Sequence, residues 1–284
     1  MRLKRWGDDT GIVTGIGLGV FDGFHLGHQA LWSKCSALLT FDPHPITALK
    51  GIQIQRLTTI KEMQYYIPDL YVLTFNQEIA KLTPASFLDQ VMTHEIQPQK
   101  IVVGYDYRFG AKKAGNFEYL TEWAGKRGVS VEKIAPVNSG GFPVKSSRVR
   151  DALISGDIAQ AVQLMGHSYL MIGTVIHGEG RGKSLGFPTA NIQVPDNKLI
   201  PGDGVYAGSV IWQEQDHKAV ISIGKKPTFA KQGSHIEVHI PGFSEDIYGH
   251  ELSLFIEKRI RDQQTFPDQD ALVAQIKQDL TNII

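Results

Sequence analysis

Gly19-Val20-Phe21-Asp22-Gly23-Phe24-His25-Leu26-Gly27-His28 decides how the first half of this chain folds. The apolar run from Ile12 to Phe21 suits a buried strand, and beyond the glycines His28 to Cys35 reads as a short helix. A strand that turns through glycine into a helix puts backbone N–H groups and the positive helix end where a phosphate chain can lie. His25 and His28 flank that position, and Gly27 lets a nucleotide approach with no β-carbon in the way. Imidazole N–H groups can donate to phosphate oxygens as charge builds on a departing pyrophosphate, so no covalent nucleophile is needed. Gly19, Phe21 and Asp22 complete the candidate phosphate loop. Taken alone, the motif favours a helix cap and a packed histidine over a phosphate site, so its surroundings must decide.

Working outward, short apolar runs alternate with helical segments up to about Gly166, the rhythm of a parallel α/β sheet. Strands are predicted over Ala37 to Phe41, Leu70 to Phe75 and Lys100 to Val103; helices over Thr59 to Tyr66, Ala85 to Met92, Asn116 to Arg127, Ser147 to Ser155 and Ile158 to Met165. Polar clusters follow these runs: Asp42-Pro43-His44-Pro45, Gly104-Tyr105-Asp106-Tyr107-Arg108-Phe109-Gly110 and Ser146-Ser147-Arg148. In a parallel sheet such loops converge at the carboxyl ends of the strands, where ligands bind. Arg108 or Arg148 can neutralise a leaving pyrophosphate, and Ser146 or Ser147 can donate to it from the start of a helix.

Two competing readings fail. Gly15-Ile16-Gly17-Leu18-Gly19 imitates a dinucleotide fingerprint, but Val20 holds the place of its third glycine and Asp22-Gly23 makes a turn where the helix should begin. A zinc site built from His25, His28 and His44 lacks cysteine support, because Cys35 stands alone and no C-x-x-C occurs.

After His167 the pattern changes to period-two alternation over Tyr169 to His177, Val205 to Trp212, Lys218 to Ile223, His235 to Ile240 and Leu252 to Ile260. Strands separated by Gly, Pro and Asp clusters predict a small antiparallel barrel, closed by an amphipathic helix near Asp268 to Leu280. The domains are therefore expected over 1–166 and 167–284. The second half holds its own phosphate loop: Gly178, Gly180 and Gly182 surround Arg181 and precede Lys183. It is not a P-loop, since His177 stands where that motif needs glycine. Gly186-Phe187-Pro188-Thr189-Ala190-Asn191 follows, and Thr189 and Asn191 offer hard oxygen ligands suited to Mg²⁺ held together with phosphates. Glu237, between Ile236 and Val238, projects opposite to both and is the candidate base for a phosphate acceptor; the spacing fits an exposed glutamate equally well.

Composition narrows the partners. The chain has 284 residues, 42% of them hydrophobic, enough for two moderate cores. Lys+Arg and Asp+Glu number 29 each, so no net field draws the protein to nucleic acid or an anionic membrane, and small-molecule partners are expected. A single cysteine, no signal-peptide pattern and no apolar run near the roughly 20 residues of a membrane span lead to a cytoplasmic expectation.

In order and spacing, Gly19 to His28, Phe41-Asp-Pro-His-Pro45, Gly104 to Gly110, Gly186 to Asn191, Gly204-Val-Tyr-Ala207, Pro227-Thr-Phe229 and Glu237-Val-His239 resemble the bacterial bifunctional riboflavin kinase/FAD synthetase family. The resemblance implies a Rossmann-like nucleotidylyltransferase domain that adenylylates FMN to FAD, followed by a β-barrel riboflavin kinase domain, both using ATP and Mg²⁺. It implies that His25 and His28 hold the ATP phosphates, with Asp106 and Ser146 to Arg148 near the nucleotide. In the barrel it implies Thr189 and Asn191 as ligands of Mg²⁺ and phosphate, and Glu237 as base on the ribityl 5′-hydroxyl of riboflavin. Arg261 and Phe266 are candidate flavin neighbours. Val20, Lys145 and the eight residues between His28 and Ala37 depart from the family pattern, which makes a kinase with a merely nucleotide-binding first half the alternative.

Overall fold

The computed structural model describes residues 2–5, 13–178, 182, 185–225 and 234–283. Ile12, Gly180, Arg181, Lys183 and the Pro227-Thr-Phe229 motif lie outside the described residues. The chain divides into two compact units, Met1–Lys145 and Ser146–Ile284.

In the first unit β1 (Arg2–Arg5), β2 (Ile16–Leu18), β3 (Ala37–Asp42), β4 (Asp69–Thr74), β5 (Lys100–Gly104) and β6 (Ser130–Ile134) form one parallel sheet ordered β1-β4-β3-β2-β5-β6. From β2 the chain steps outward to β3 and β4, then returns to pair β5 on the other flank of β2. This is the doubly wound arrangement, and its switch point lies between β2 and β5. Alternation along the strands builds a core on each face. Leu38, Leu70 and Val102 pack with Leu31 of α1 (Leu26–Trp32) and Met63 of α3 (Ile60–Tyr66), while Ile16, Leu39 and Val103 face the opposite core with Leu120 and Trp123 of α6 (Phe117–Gly125). Gly17 is the register partner of Leu38, and a β-carbon there would collide with Leu31 and Leu38, so glycine lets α1 lie close on the sheet.

Local differences from the sequence expectation have physical causes. The paired part of β2 stops at Leu18 because the chain then curls, with positive φ at Phe21 (54°), Gly23 (89°) and Phe24 (37°). Helix α1 begins at Leu26, and the amides of both His28 and Gln29 donate to the His25 carbonyl at 2.7 and 3.0 Å. Thr83 caps the next predicted helix by accepting from the Ser86 amide at 3.2 Å; α5 (Pro84–Phe87) then widens into a π-helical stretch, Leu88–Ile96. Two short helices have no counterpart in the sequence rhythm: α2 (Pro45–Lys50), whose first turn is capped by His44 Nδ1, and α4 (Gln77–Lys81), capped by Asn76. Strands β7 (Asn138–Ser139) and β8 (Phe142–Pro143) make a small hairpin.

In the second unit β9 (Tyr169–Ile176), β10 (Ala190–Gln193), β11 (Gly204–Trp212), β12 (Gln215–Lys225), β13 (Ser234–His239) and β14 (Glu251–Arg261) form a closed antiparallel barrel in the order β10-β13-β12-β11-β14-β9. Its interior is filled by alternate apolar residues, among them Met171, Ile221, Ile223, Ile236, Val238 and Leu254, all buried. Helices α7 (Ser146–Ser155) and α8 (Ile158–Met165) precede the barrel and belong to the same unit. Arg259 of β14 donates to the Ser155 carbonyl at 3.3 Å and to the Asp203 carbonyl at 2.7 Å, and the Gly202 amide donates to the Leu153 carbonyl at 2.9 Å. The change of periodicity at Gly166 thus marks a change of element type, whereas the packing groups the two helices with the strands. The closing helix, α9 (Gln269–Leu280), is capped by Asp268.

Candidate functional site

Two sites take shape, one in each unit. In the first, the loop leaving β2 and the loop leaving β5 rise at the switch point. His25 and His28 stack face to face, with ring centroids 3.6 Å apart and planes 16° from parallel, and Phe21 meets His28 edge-on at 5.3 Å. Nδ1 of each histidine is buried and makes no hydrogen bond among the described residues. Buried polar atoms without partners are uncommon, and a ligand is one way to satisfy them. Burial lowers the His25 ring to about 4, although its own backbone and the charge of Asp106 work in the other direction. Burial, with His25 as the second cause, holds His28 well below its ordinary value. Both rings are therefore neutral near pH 7, and each brings one N–H donor rather than a positive charge.

The remaining predicted residues of this half divide by role. Gly27 lies against His25, where a β-carbon would come within 3.2 Å of the ring. The Gly19 amide bonds the Leu39 carbonyl at 3.2 Å, which ties the loop to β3. Asp22 is buried, and its Oδ1 accepts from the amides of Leu57 and Thr58 at 2.8 and 3.2 Å, while the Gly23 amide donates to Thr58 Oγ1 at 3.2 Å. That carboxylate anchors the loop to the segment before α3. Asp106 and Arg108 are exposed on the β5 loop, where Tyr107 stacks on Phe109 at 5.6 Å. Ser146, Ser147 and Arg148 open α7, in the second unit.

Sequence reasoning missed Arg56. Its side chain is only 2% exposed; Nη2 donates to the Phe41 carbonyl at 2.6 Å, and Nη1 lies 3.8 Å from Asp42 Oδ1 without a hydrogen bond. Burial lowers its pKa, opposed by the charges of Asp42 and Asp22. The only local signal is its place just before the capping box Thr59 to Glu62, which marks a helix start but not a buried cation.

In the second unit the site sits on the outer face of β10 and β13. Asn191 and Glu237 are direct register partners, so their side chains share one face, opposite to buried Ile236 and Val238. Asn191 is 5% exposed, and its Oδ1 is buried without a hydrogen bond among the described residues. A β-carbon on Gly178 would fall on the Asn191 amide, and one on Gly182 would collide with the Phe187 carbonyl and approach Thr189 Oγ1 to 3.2 Å, so each glycine lies close to an oxygen-bearing side chain. A hard oxygen left unpaired beside a glycine-lined phosphate loop fits Mg²⁺, which takes few protein ligands and completes its shell with phosphates and water. Among the described residues no group of three His, Cys, Asp or Glu side chains comes together as a metal site.

Two histidines without a predicted role share this face. His239 Nδ1 bonds the Pro188 carbonyl at 2.8 Å and its ring meets Phe187 edge-on at 5.6 Å, which pins the Thr189 segment to β13. His235 Nε2 lies 3.1 Å from Glu237 Oε1. The signal for both was the same period-two spacing that set Glu237 apart, since residues 235, 237 and 239 share a face. Of the candidate flavin neighbours, Arg261 forms a two-pronged bond to buried Asp279 of α9 at 2.9 and 2.8 Å, and its guanidinium lies 5.7 Å from the Phe266 ring centroid.

Comparison with known proteins bears on both sites. Residues 9–148 match the FAD synthetase family and residues 165–284 the riboflavin kinase family. A bifunctional riboflavin kinase/FMN adenylyltransferase from Listeria monocytogenes is 34% identical over 98% of this chain and 93% of its own length; one from Pseudomonas fluorescens is 31% identical over 93% and 89%. A crystal structure from Streptococcus pneumoniae, named a macrolide-efflux protein, superposes with a TM-score of 0.88 at 30% identity, over 98% of this chain and 97% of that one. Among the described residues of the present chain, no helix is long and apolar enough to cross a membrane.

Proposed function

The chain belongs to the family of bifunctional riboflavin kinase/FMN adenylyltransferases, and we propose on that footing which residues carry each of its two reactions. It phosphorylates riboflavin to FMN at the expense of ATP and adenylylates FMN to FAD with release of pyrophosphate. We assign adenylylation to 1–166 and phosphorylation to 167–284, in line with the family matches over 9–148 and 165–284. The observation that carries the assignment is that among the described residues each unit holds buried polar atoms without a partner at its candidate site: imidazole nitrogens of His25 and His28 in the first, the Asn191 oxygen in the second.

In the kinase site Glu237 takes the proton of the riboflavin 5′-hydroxyl as its oxygen attacks the γ-phosphorus of ATP and ADP departs. Thr189 and Asn191 would hold Mg²⁺ against the phosphates, and Gly178, Gly182 and Lys183 are assigned to the phosphate chain. The ion, when bound, screens phosphate charge and aligns the transferred group. Arg261 and Phe266 edge the flavin side. In the adenylyltransferase site a phosphate oxygen of FMN attacks the α-phosphorus of ATP and pyrophosphate leaves. His25 and His28 donate N–H bonds to the phosphate oxygens as charge accumulates, and Gly19, Phe21 and Gly27 shape the approach. Asp22 serves by fixing the loop. Asp106 and Arg108 border the nucleotide, and Ser146, Ser147 and Arg148 are assigned to its phosphates. The partners are riboflavin, FMN and ATP, without nucleic acid or membrane, in the cytoplasm.

Purified protein given riboflavin, ATP and Mg²⁺ is expected to yield FMN and then FAD by chromatography. Supplied FMN is expected to give FAD and pyrophosphate directly. FMN without any FAD would leave only the kinase assignment standing.

A further inference from the structure

Glu237 is held on one side only. Its Oε1 lies 3.1 Å from His235 Nε2, and Oε2 makes no hydrogen bond among the described residues. The two residues are separated by one position on β13 and project to the same outer face, with side chains 27% and 36% exposed, so they reach substrate without entering the barrel. Their surroundings explain why the histidine can lie down along the strand. Its register partner on β12 is Gly224, which offers no side chain to push it away. The Gln263 amide lies over Gly224 and donates to Ser222 Oγ and the Ile223 carbonyl, both at 3.0 Å. Ser222, the register partner of Glu237 on β12, therefore already serves as acceptor for Gln263. On the other flank Asn191 faces Glu237, and among the described residues its side chain makes no hydrogen bond to the carboxylate. Among the described residues His235 is the side chain that restrains the glutamate.

We propose that His235 is a positioning residue for the phosphorylation of riboflavin: with its proton on Nε2 it donates to Glu237 Oε1 and fixes the carboxylate so that Oε2 faces the substrate hydroxyl. The inference rests on the reading of Glu237 as the base. An unrestrained glutamate samples several rotamers, and only those that place an oxygen within hydrogen-bond reach of the hydroxyl are productive. Loss of alignment lowers turnover more than it lowers binding, because riboflavin and ATP are gripped elsewhere.

Steady-state kinase assays on the full-length chain test this with three variants. His235→Ala is expected to lower kcat about tenfold to a hundredfold, with the KM values for riboflavin and ATP within about twofold of wild type. His235→Gln, whose amide N–H can stand in for Nε2–H, is expected to recover most of that loss. FAD formation from supplied FMN is expected to stay at the wild-type rate in both and reports that the first unit is intact, while an unchanged melting temperature reports the barrel. Wild-type kcat in His235→Ala beside a Glu237→Gln variant that has lost activity would overturn the positioning role and leave the base intact. Full activity in Glu237→Gln would overturn the base, and this inference with it. An equal loss in the Ala and Gln variants, with matching falls in melting temperature, would overturn positioning in favour of a structural role.

Discussion

On the proposed assignment the two sites meet the same reagent, a nucleoside triphosphate, with opposite inventories. The first unit presents a stacked pair of imidazoles that burial keeps neutral, and the second presents a carboxylate opposite an amide oxygen. The difference follows the nucleophile. A phosphate monoester reaches the first site already deprotonated, so a base is superfluous and N–H donors for the departing charge suffice. A hydroxyl reaches the second site with its proton on, and something must accept it. If each site carries the group its acceptor requires, as proposed, a change in either should be felt in one reaction alone.

The largest expected effect lies in the barrel. Glu237→Gln keeps size and hydrogen bonding but cannot take a proton; FMN formation is expected to fall ~10²–10⁴-fold, while FAD formation from supplied FMN holds. Product chromatography with each substrate in turn reads both rates. Equal losses of both activities in folded protein would break the division between the pockets.

In the other direction, His28→Ala removes one donor and the stacking partner of His25. FAD formation is expected to fall about 10²–10³-fold, the range for one lost donor to a developing oxyanion, and FMN formation should hold. Pyrophosphate release with FMN as substrate measures it. A smaller, more local change sharpens the second pocket: Gly178→Ala drives a methyl group onto the Asn191 amide. Kinase turnover is expected to drop by about tenfold to a hundredfold, with saturation at higher Mg²⁺, because the displaced oxygen is the proposed ligand. An unchanged Mg²⁺ titration with lowered turnover would separate the glycine from the ion.

How far these pockets were legible in the sequence depends on how local their causes are. Both sheet types were legible from local pattern: continuous apolar runs between helices for the parallel sheet, whose central strands are buried almost throughout, and period-two alternation for the barrel. The glycine at 27 was legible as a close approach, since a β-carbon there would crowd His25. Asp22 was legible as a loop residue but not as an anchor, because its partners, the amides of Leu57 and Thr58, are 35 and 36 residues away. Arg261 suffers likewise, since Asp279 joins it from a helix 18 residues on. Arg56 carries no local mark of burial at all. The grouping of α7 and α8 with the barrel hangs on Arg259 and the backbone of Gly202, contacts that no periodicity encodes.

The last comparison concerns charge in the first pocket, and pH can break it. The His25 ring sits at about 4 against an ordinary value of 6.5, because burial penalises the charged form, and His28 is shifted the same way. A folded state that resists protonation binds fewer protons than the unfolded chain between those two values. The stabilising difference is fully present above about pH 6.5 and is lost as pH falls toward about 4. His25 alone should withdraw roughly 1–3 kcal/mol over that window, an order of magnitude set by the size of its shift. Urea denaturation from pH 7 to 4.5 is expected to show this slope in the wild type and a flatter one in His25→Gln, which has nothing to titrate. If the two slopes coincide, the folded pocket accepts protons freely. The imidazoles then act as cations toward the nucleotide, and the contrast between a neutral donor pair and an anionic base must be redrawn as one between opposite charges.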